Sequence, residues 1–515
     1  MRLFNHTNNI TLRQLKFVCS ELQANKINVS PSLKSYPYQK SLWAKKLTPN
    51  YGKRLHNLTL IQYCLSYYEK FNDESLIEKA LTYFYLWYEQ NYPKSDSEYC
   101  YEVEVVCERL INVCDLLTVC KELDLMILDD VFINIIMSHI NILVETREAI
   151  AIIIAAIVYN KYYIANSSTP YLNLGLKSLY SQLDSLLIEG QYMGKSGYQL
   201  FFQLSRLYDY LSTAVAEDIT KYLKSKLDEL YYFLYNLTVP GEIFPGYPYE
   251  LSEEVEFQYS NVLFDKAKLF IYANCKTINQ DYYKIIFKNG NHNYDNLSFT
   301  LYYRNYLMLT DRNTIMVDFH DYLLGQINSS IITNYLFTDE LAYVSGFHLL
   351  YEDVLIRRSL ICFYKQIYLI DEISSFEPHD YTLIFNFAAG LDLKLNENNC
   401  LIGKVDNQEI IRFEQLTSSI KMTPFLNKQQ LTFRGKGQNE IVIAKINLTD
   451  NSKPDIIKVN KQEVLFTLAN NEYKLIRSYY YRQLLCNNCE MSLNIPLDKT
   501  IERKLISLLI TNNQL

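Results

Sequence analysis

The apolar residues of this chain change their spacing partway along, and that change limits the architecture more than any single motif. In the first half they recur at three and four: Val103, Val106, Cys107, Leu110, Ile111, Cys114 and Leu117 form one stripe at a 3.6-residue period. Ile77, Ala80, Leu81, Phe84, Trp87 and Tyr88 repeat it after the cap-like Asn72-Asp73 and stop before Pro93. Further stripes run over residues 172–187, 200–211 and 219–234, and a last helical stretch is expected over 257–273. Beyond that the period becomes two. Tyr381, Leu383, Phe385 and Phe387 alternate with Thr382, Ile384 and Asn386, and strands are expected at 297–303, 355–370, 440–448, 464–468 and 473–481. Helices come first and strands second, so the two form separate layers instead of alternating βα units. The fold class expected is α+β with two domains: helical over residues 1–280, an antiparallel β-sandwich over 281–515, with the boundary between about Ala273 and Gly290. The densest Pro/Gly stretch, within 236–255, reads as a long surface loop of the kind that carries function.

Composition excludes several classes. A chain of 515 residues has room for a large core. With 49% hydrophobic and 21% charged residues it is not disordered, and 14 Gly and 12 Pro are too few for collagen or linker-rich sequence. The net charge of −7 and the absence of any run of five Lys/Arg leave no nucleic-acid footprint. Eleven cysteines, mostly in apolar segments, suit free buried thiols in a reducing compartment. Cys486 and Cys489 form one CxxC without the second pair of a zinc ribbon, and are read as a structural thiol pair. The first residues lack the apolar core of a secretory signal, and the most apolar run, 149–159, is shorter than the roughly 20 residues of a membrane helix. No membrane span and a cytoplasmic location are therefore expected. The 46 tyrosines admit two readings: the codon bias of an AT-rich genome, or a sugar-binding surface of ring faces and hydroxyls.

Six segments, in order, carry a resemblance. They are Glu104 to Asn112 (E-V-V-C-E-R-L-I-N), Glu189-Gly190 through Ser196-Gly197-Tyr198, and Pro240 to Gly246 (P-G-E-I-F-P-G). Next come Asn291 to Phe299 (N-H-N-Y-D-N-L-S-F) followed by Leu307 to Asp311, then Arg357-Arg358 with Leu369-Ile370-Asp371, and His379 through Phe387. Together they resemble the heparinase II/III-like polysaccharide lyases, whose patterns there are "aeRi-N", "DG…E-x-S-P-x-Y-H", "P-x-G-x-x-P", "H-x-H-x-D-x-L-S-F" with "L-x-x-D", "R-R" with "D-x-L", and "H…F-x-F". The resemblance implies an incomplete α/α-toroid followed by a β-sandwich, and β-elimination at a uronic acid of an acidic polysaccharide or oligosaccharide. That reaction needs a group to neutralise the carboxylate, a base for the C5 proton and an acid for the departing O4. In the family an Asn of the toroid meets the carboxylate, a Tyr and a His act as base and acid, and His and Asp residues of the sandwich hold a metal in some members.

This sequence departs from the pattern at several of those positions. Asn291 and Asn293 stand at the two histidines, His292 falls one residue out of phase, and Asp295 is in place. A one-residue offset in a strand turns a side chain to the other face. Thr333-Asn334-Tyr335 stands at the downstream "H-N-T", Arg147-Glu148 at the toroid's "N-H", and Gly194 at the Glu of "E-x-S". The candidate catalytic residues are Tyr198 as base, Arg147 against the substrate carboxylate and His292; the candidate substrate-binding residues are Ser196, Lys195, Asn291, Asn293 and Asp295. Arg109, Ser298 and Asp311 are expected to cap, brace or pair inside the fold. No cofactor is expected, and no zinc, because neutral amides replace the imidazoles. Three functions stay open: a lyase on an acidic glycan, a uronyl C5-epimerase, and a non-catalytic glycan-binding relative. The oligomeric state is not legible.

Overall fold

Ten helices form from the periodic segments of the first half: α1 (Leu12–Gln23), α2 (Pro49–His56), α3 (Thr59–Phe71), α4 (Ser75–Asn91), α5 (Val103–Glu122), α6 (Asp129–Thr146), α7 (Ala149–Tyr162), α8 (Thr169–Leu186), α9 (Gly197–Ala214) and α10 (Glu217–Leu237). Two short hairpins join them, β1 (Lys26–Ile27) with β2 (Tyr36–Pro37) and β3 (Leu187–Ile188) with β4 (Gln191–Tyr192). The computed structural model describes residues 12–39, 42–43, 47–164, 167–193, 197–214, 217–237, 261–274, 282–288, 297–304, 306–310, 313–318, 330–349, 351, 353–418, 422–448, 456–459, 463–468, 471–477, 482–487, 489–497 and 499–511.

Consecutive helices pack in pairs, α3 with α4, α5 with α6 and α7 with α8, while α3, α5, α7 and α9 also pack on one another in turn. Alternate helices thus make an inner row and their partners an outer one, the arrangement of an α/α-toroid. The apolar run 149–159 is α7, buried on every side because α5, α6, α8 and α9 surround it. A helix so enclosed needs no polar face. Gly175 lets α8 come close: a Cβ there would lie 2.7 Å from Ile153 Cγ1. Among the described residues, no helix is long and apolar enough to cross a membrane.

The strands follow. One five-stranded sheet holds β5 (Val262–Phe264), β6 (Leu269–Ala273), β7 (Tyr283–Lys288), β8 (Ser298–Tyr303) and β9 (Tyr306–Leu309). The eleven-stranded sheet is built from β10 (Thr314–Val317), β11 (Ser330–Phe337), β12 (Leu341–His348), β13 (Val354–Phe363), β14 (Gln366–Asn386), β15 (Asp392–Leu395), β16 (Leu401–Val405), β17 (Gln408–Ser418), β18 (Thr423–Asn427), β19 (Gln430–Asn447) and, later in the chain, Leu493–Asn494. A second five-stranded sheet holds β20 (Ile456–Val459), β21 (Glu463–Leu468), β22 (Asn471–Arg477), β23 (Arg482–Cys486) and β24 (Cys489–Glu490); Leu493–Asn494 is β25. Among the described residues all the pairings are antiparallel.

Around β12, β13 and the first half of β14 the large sheet is buried on both faces. Along β14, Ile367, Leu369 and Ile373 enter one core with Phe270, Phe287 and Phe299 of the first small sheet. Tyr368 and Ile370 enter another with Tyr473, Leu475 and Leu484 of the second. The two-residue period therefore divides one strand between two cores. Helix α11 (Lys499–Thr511) packs Leu505 and Leu509 on Phe347 and Leu355.

Three expectations are corrected. The segment expected as a helix over 257–273 instead supplies β5 and β6, because Phe270, Ile271 and Tyr272 pair with β7; an apolar run this short fits either period until a partner strand decides it. The division of the described residues into two compact units falls at Tyr232 and Phe233, ahead of the expected boundary near 280, since β5 and β6 belong with the strands. The single strand expected over 355–370 is a hairpin that reverses at Tyr364, whose φ is +51°. The loop expected within 236–255 lies, beyond Leu237, outside the described residues.

Candidate functional site

On the helical unit a pocket of about 480 Å³ is lined by Val103, Glu104, Cys107 and Glu108 of α5, by Glu148, and by Tyr192, Leu200 and Gln203. Its walls follow from helix geometry. Glu104 and Glu108 are four apart on α5, while Leu200, Gln203, Arg206 and Tyr210 form one stripe of α9 that faces it. Below the pocket this face closes on a polar contact: Arg206 pairs with Asp115 of α5, and Tyr210 donates its hydroxyl to Asp115 at 2.7 Å. Glu148 sits between α6 and α7, where Arg147 ends α6 in the left-handed region at φ +61°.

Burial raises the pKa of both Glu108 and Glu148. For Glu108 the amide of Asn57, which donates to it, and the nearby guanidinium of Arg206 act the other way, while Glu104 adds to the rise. Burial also pushes the Cys107 thiol up, so it stays protonated. The pocket thus presents three carboxyl groups, two of them held toward the neutral form.

Of the candidate residues, Arg147 is exposed and its backbone carbonyl accepts from Gln182 Nε2 at 2.8 Å; its neighbour Glu148, not Arg147, lines the pocket. Tyr198 lies in the first turn of α9, whose next turns supply Leu200 and Gln203. Lys195, Ser196, Asn291, His292, Asn293, Asp295 and Asp311 lie outside the described residues. Thr333 is buried, its hydroxyl 3.3 Å from the Ser345 carbonyl, and Asn334 accepts from the Arg482 N–H at 3.0 Å. Among the described residues, no three His, Cys, Asp or Glu are arranged to hold a metal ion. Cys486 and Cys489 stand opposite each other across β23 and β24 as free thiols. The sequence reading missed Glu108, Glu148 and Gln203. The signal it passed over was a pair of carboxylates, Glu104 and Glu108, at helical spacing beside an apolar stripe.

Two of the shared motifs are braces. On α5, Glu108, Arg109 and Asn112 all reach the junction of α2 and α3: Glu108 takes the Asn57 amide, Arg109 Nη1 donates to the His56 carbonyl at 2.8 Å, and Asn112 Nδ2 to the Asn57 carbonyl at 2.8 Å. They hold a tight connection in which Leu58 has φ +62°. On the strands, Arg358 and Asp371 form a buried two-pronged pair at 2.7 and 3.0 Å, and Arg358 Nη1 also donates to the carbonyls of Leu297 and Asn313. Asn313 receives a bond from Asn386 N–H and donates its own N–H to Ser298 Oγ. Arg109 and Ser298 are thus structural, as expected.

Heparinase III superposes on this chain with a TM-score of 0.65 at 14% identity, over 96% of this chain and 92% of that one. The fold is that of heparinase III. Heparan sulfate lyase HepC from Pedobacter heparinus gives 0.58 at 11% identity, over 95% and 92%. A further heparinase III, the BT4657 gene product, gives 0.55 at 11% identity over the same shares. No protein-family model and no curated protein matches the sequence. The heparinase III fold therefore extends over nearly the whole chain, in the order helical unit then antiparallel sheets that the periodicity change requires.

Proposed function

We propose that this protein is a polysaccharide-lyase-like enzyme acting on a uronate-containing acidic glycan, with C5 proton abstraction as its chemistry and the pocket on α5 as its site. The observation that supports this is a convergence. Helix α5 and the segment running through Tyr192 into α9 each carry one of the motifs resembling the lyases, and both border one pocket with Glu148, which is far from either in sequence.

In this reading Tyr198 takes the C5 proton, electrons move into the C4–C5 bond, and the C4–O4 bond breaks with the proton passing to O4. Glu148 directly follows the position where the lyases place an amide, and it lines the pocket where Arg147 does not. Burial raises the pKa of Glu148, and in this reading its carboxyl acts in the protonated form, donating a hydrogen bond to the substrate carboxylate that an ionised group would repel. Asn57 and Arg206 steady Glu108 beside it. Amide oxygens at Asn291 and Asn293 are poor zinc donors, so in this reading the proton transfers fall to side chains alone.

The test is incubation with a panel of uronate polysaccharides, following both new ultraviolet absorbance from an unsaturated uronate and exchange of the C5 hydrogen in deuterated water. Absorbance is the expected result. Exchange without absorbance would identify a C5-epimerase, and binding with neither would identify a glycan-binding protein.

A further inference from the structure

On the strand unit, the β15–β16 turn and strand β17 enclose a pocket of about 330 Å³ whose polar lining is Asn396, Asn398, Asn399, Arg412, Glu414 and Gln415. Cys400, Met422 and Pro424 complete it with apolar surface. The turn is built by one of these residues. Asn396 Oδ1 accepts the N–H groups of Asn398 and Cys400 at 3.0 and 2.9 Å, and its own N–H donates to the Cys400 carbonyl at 3.0 Å. Asn399 takes the left-handed region at φ +59°, which Asn tolerates better than most residues. With the turn closed by Asn396, the amides of Asn398 and Asn399 are left exposed at the rim. On β17, Phe413 points into the core, so Arg412 and Glu414 share the opposite face.

The charges decide what fits. Arg412 is paired with Glu409 at 2.8 to 2.9 Å, which leaves the Glu414 carboxylate, 3.3 Å from Asn447 Nδ2, in excess. An anionic ligand meets no uncompensated cation among these residues. Burial pushes the Cys400 thiol up to about 11, so it is not a thiolate ligand for a soft metal. What remains is the neutral amides of Asn398, Asn399 and Gln415, each offering a donor and an acceptor, beside a small apolar surface. Neighbouring sugar hydroxyls, which both donate and accept, match the amides, and the C–H face of the ring matches Met422 and Pro424. The volume is at the small end of ligand sites, about 300–1,000 Å³, which suits a short glycan unit.

We propose that this pocket binds a neutral, hydroxyl-rich sugar unit and so gives the protein a glycan-binding site separate from the pocket on α5. The inference does not depend on the reaction proposed above. It is tested by calorimetric titration of the full chain with neutral gluco-, galacto- and N-acetylated oligosaccharides, and with uronate oligosaccharides as the anionic comparison. Saturable binding of at least one neutral series is expected, weakened about tenfold or more by Asn398→Ala with Gln415→Ala, at an unchanged unfolding midpoint. Asn399→Gly removes a third amide without straining the left-handed position, and is expected to weaken binding in the same direction. The proposal is overturned by the absence of saturable binding to any neutral series at about 10 mM, by binding that these variants leave unchanged, or by tighter binding of the uronate series.

Discussion

Arg109 donates its Nε–H to the Nε2 of His139 at 2.8 Å, a contact between a guanidinium and an imidazole from which solvent is wholly excluded. The donation requires His139 to be neutral, with its proton on Nδ1, 3.2 Å from Ser138 Oγ. Arg109 forms no ion pair among the described residues. It lies 4.4 Å over the Trp87 ring and donates to the carbonyls of His56 and Cys100, and burial lowers its pKa to about 10.

Replacing Arg109 with Met should therefore leave two buried carbonyls and a ring nitrogen without their donor. The expected loss is about 2–4 kcal/mol, read from guanidinium unfolding of the helical unit. Arg109→Lys should recover only part of it, because a point charge cannot reach all three acceptors.

Acid should destabilise both units before their carboxylates are involved. Burial, with help from a nearby guanidinium, lowers His56 and His348 to about 3 and lowers His139 as well. The unfolded chain takes up these protons below about pH 6.5 and the folded one does not, so stability falls as pH drops from there toward 3. Each group costs up to about 1.4 kcal/mol per pH unit in that window. A denaturation midpoint that is the same at pH 7 and pH 5 would contradict this.

If Glu148 works as a protonated donor, the rate of absorbance increase should fall as pH rises through its raised pKa. Glu148→Gln should keep activity and lose that fall, because the amide stays neutral. Tyr198→Phe should lower the rate by about 100-fold or more without moving the unfolding midpoint.

Gly175→Ala should destabilise the helical unit by about 1–3 kcal/mol, because the added methyl lies 2.7 Å from Ile153 Cγ1 and α7 has no free side to move toward. A thermal midpoint equal to that of the parent would show that α8 can retreat.

The architecture was legible because period is a property of whole segments: α4 and α5 and the strand from Tyr381 emerge from the stripe and the alternation alone. Strands β5 and β6 were not, because five apolar residues in a row carry no period until β7 is beside them. Of the residues around the pocket on α5, the resemblance singled out Tyr198 at the start of α9 and the segment 147–148, with Arg147 favoured over Glu148 on charge, while Arg109 of α5 was read as a brace. Which of two adjacent residues faces a pocket depends on how the chain turns out of α6, and Arg147 takes a left-handed conformation there that no periodicity encodes. The pairing of Arg206 with Asp115 joins residues of two helices far apart in sequence, and only packing reveals it.

The pair Arg358 and Asp371 sits at directly opposed positions of β13 and β14, next to Arg357 opposite Glu372. In a sheet with one wet face, a slip of one residue would push every apolar side chain into water, and hydrophobicity alone would forbid it. Here both faces are dry, so a slipped β14 would still bury its Ile and Leu side chains, merely exchanging one core for the other. What a slip cannot do is keep Arg358 against Asp371; it would strand two charges in the interior. The ion pair is in this sense an index mark, selecting one alignment among several that are equally greasy. A chain carrying Arg358→Met with Asp371→Leu should regain most of the roughly 3–5 kcal/mol lost by either change alone, yet populate more than one strand alignment, visible as doubled amide resonances along β13 and β14.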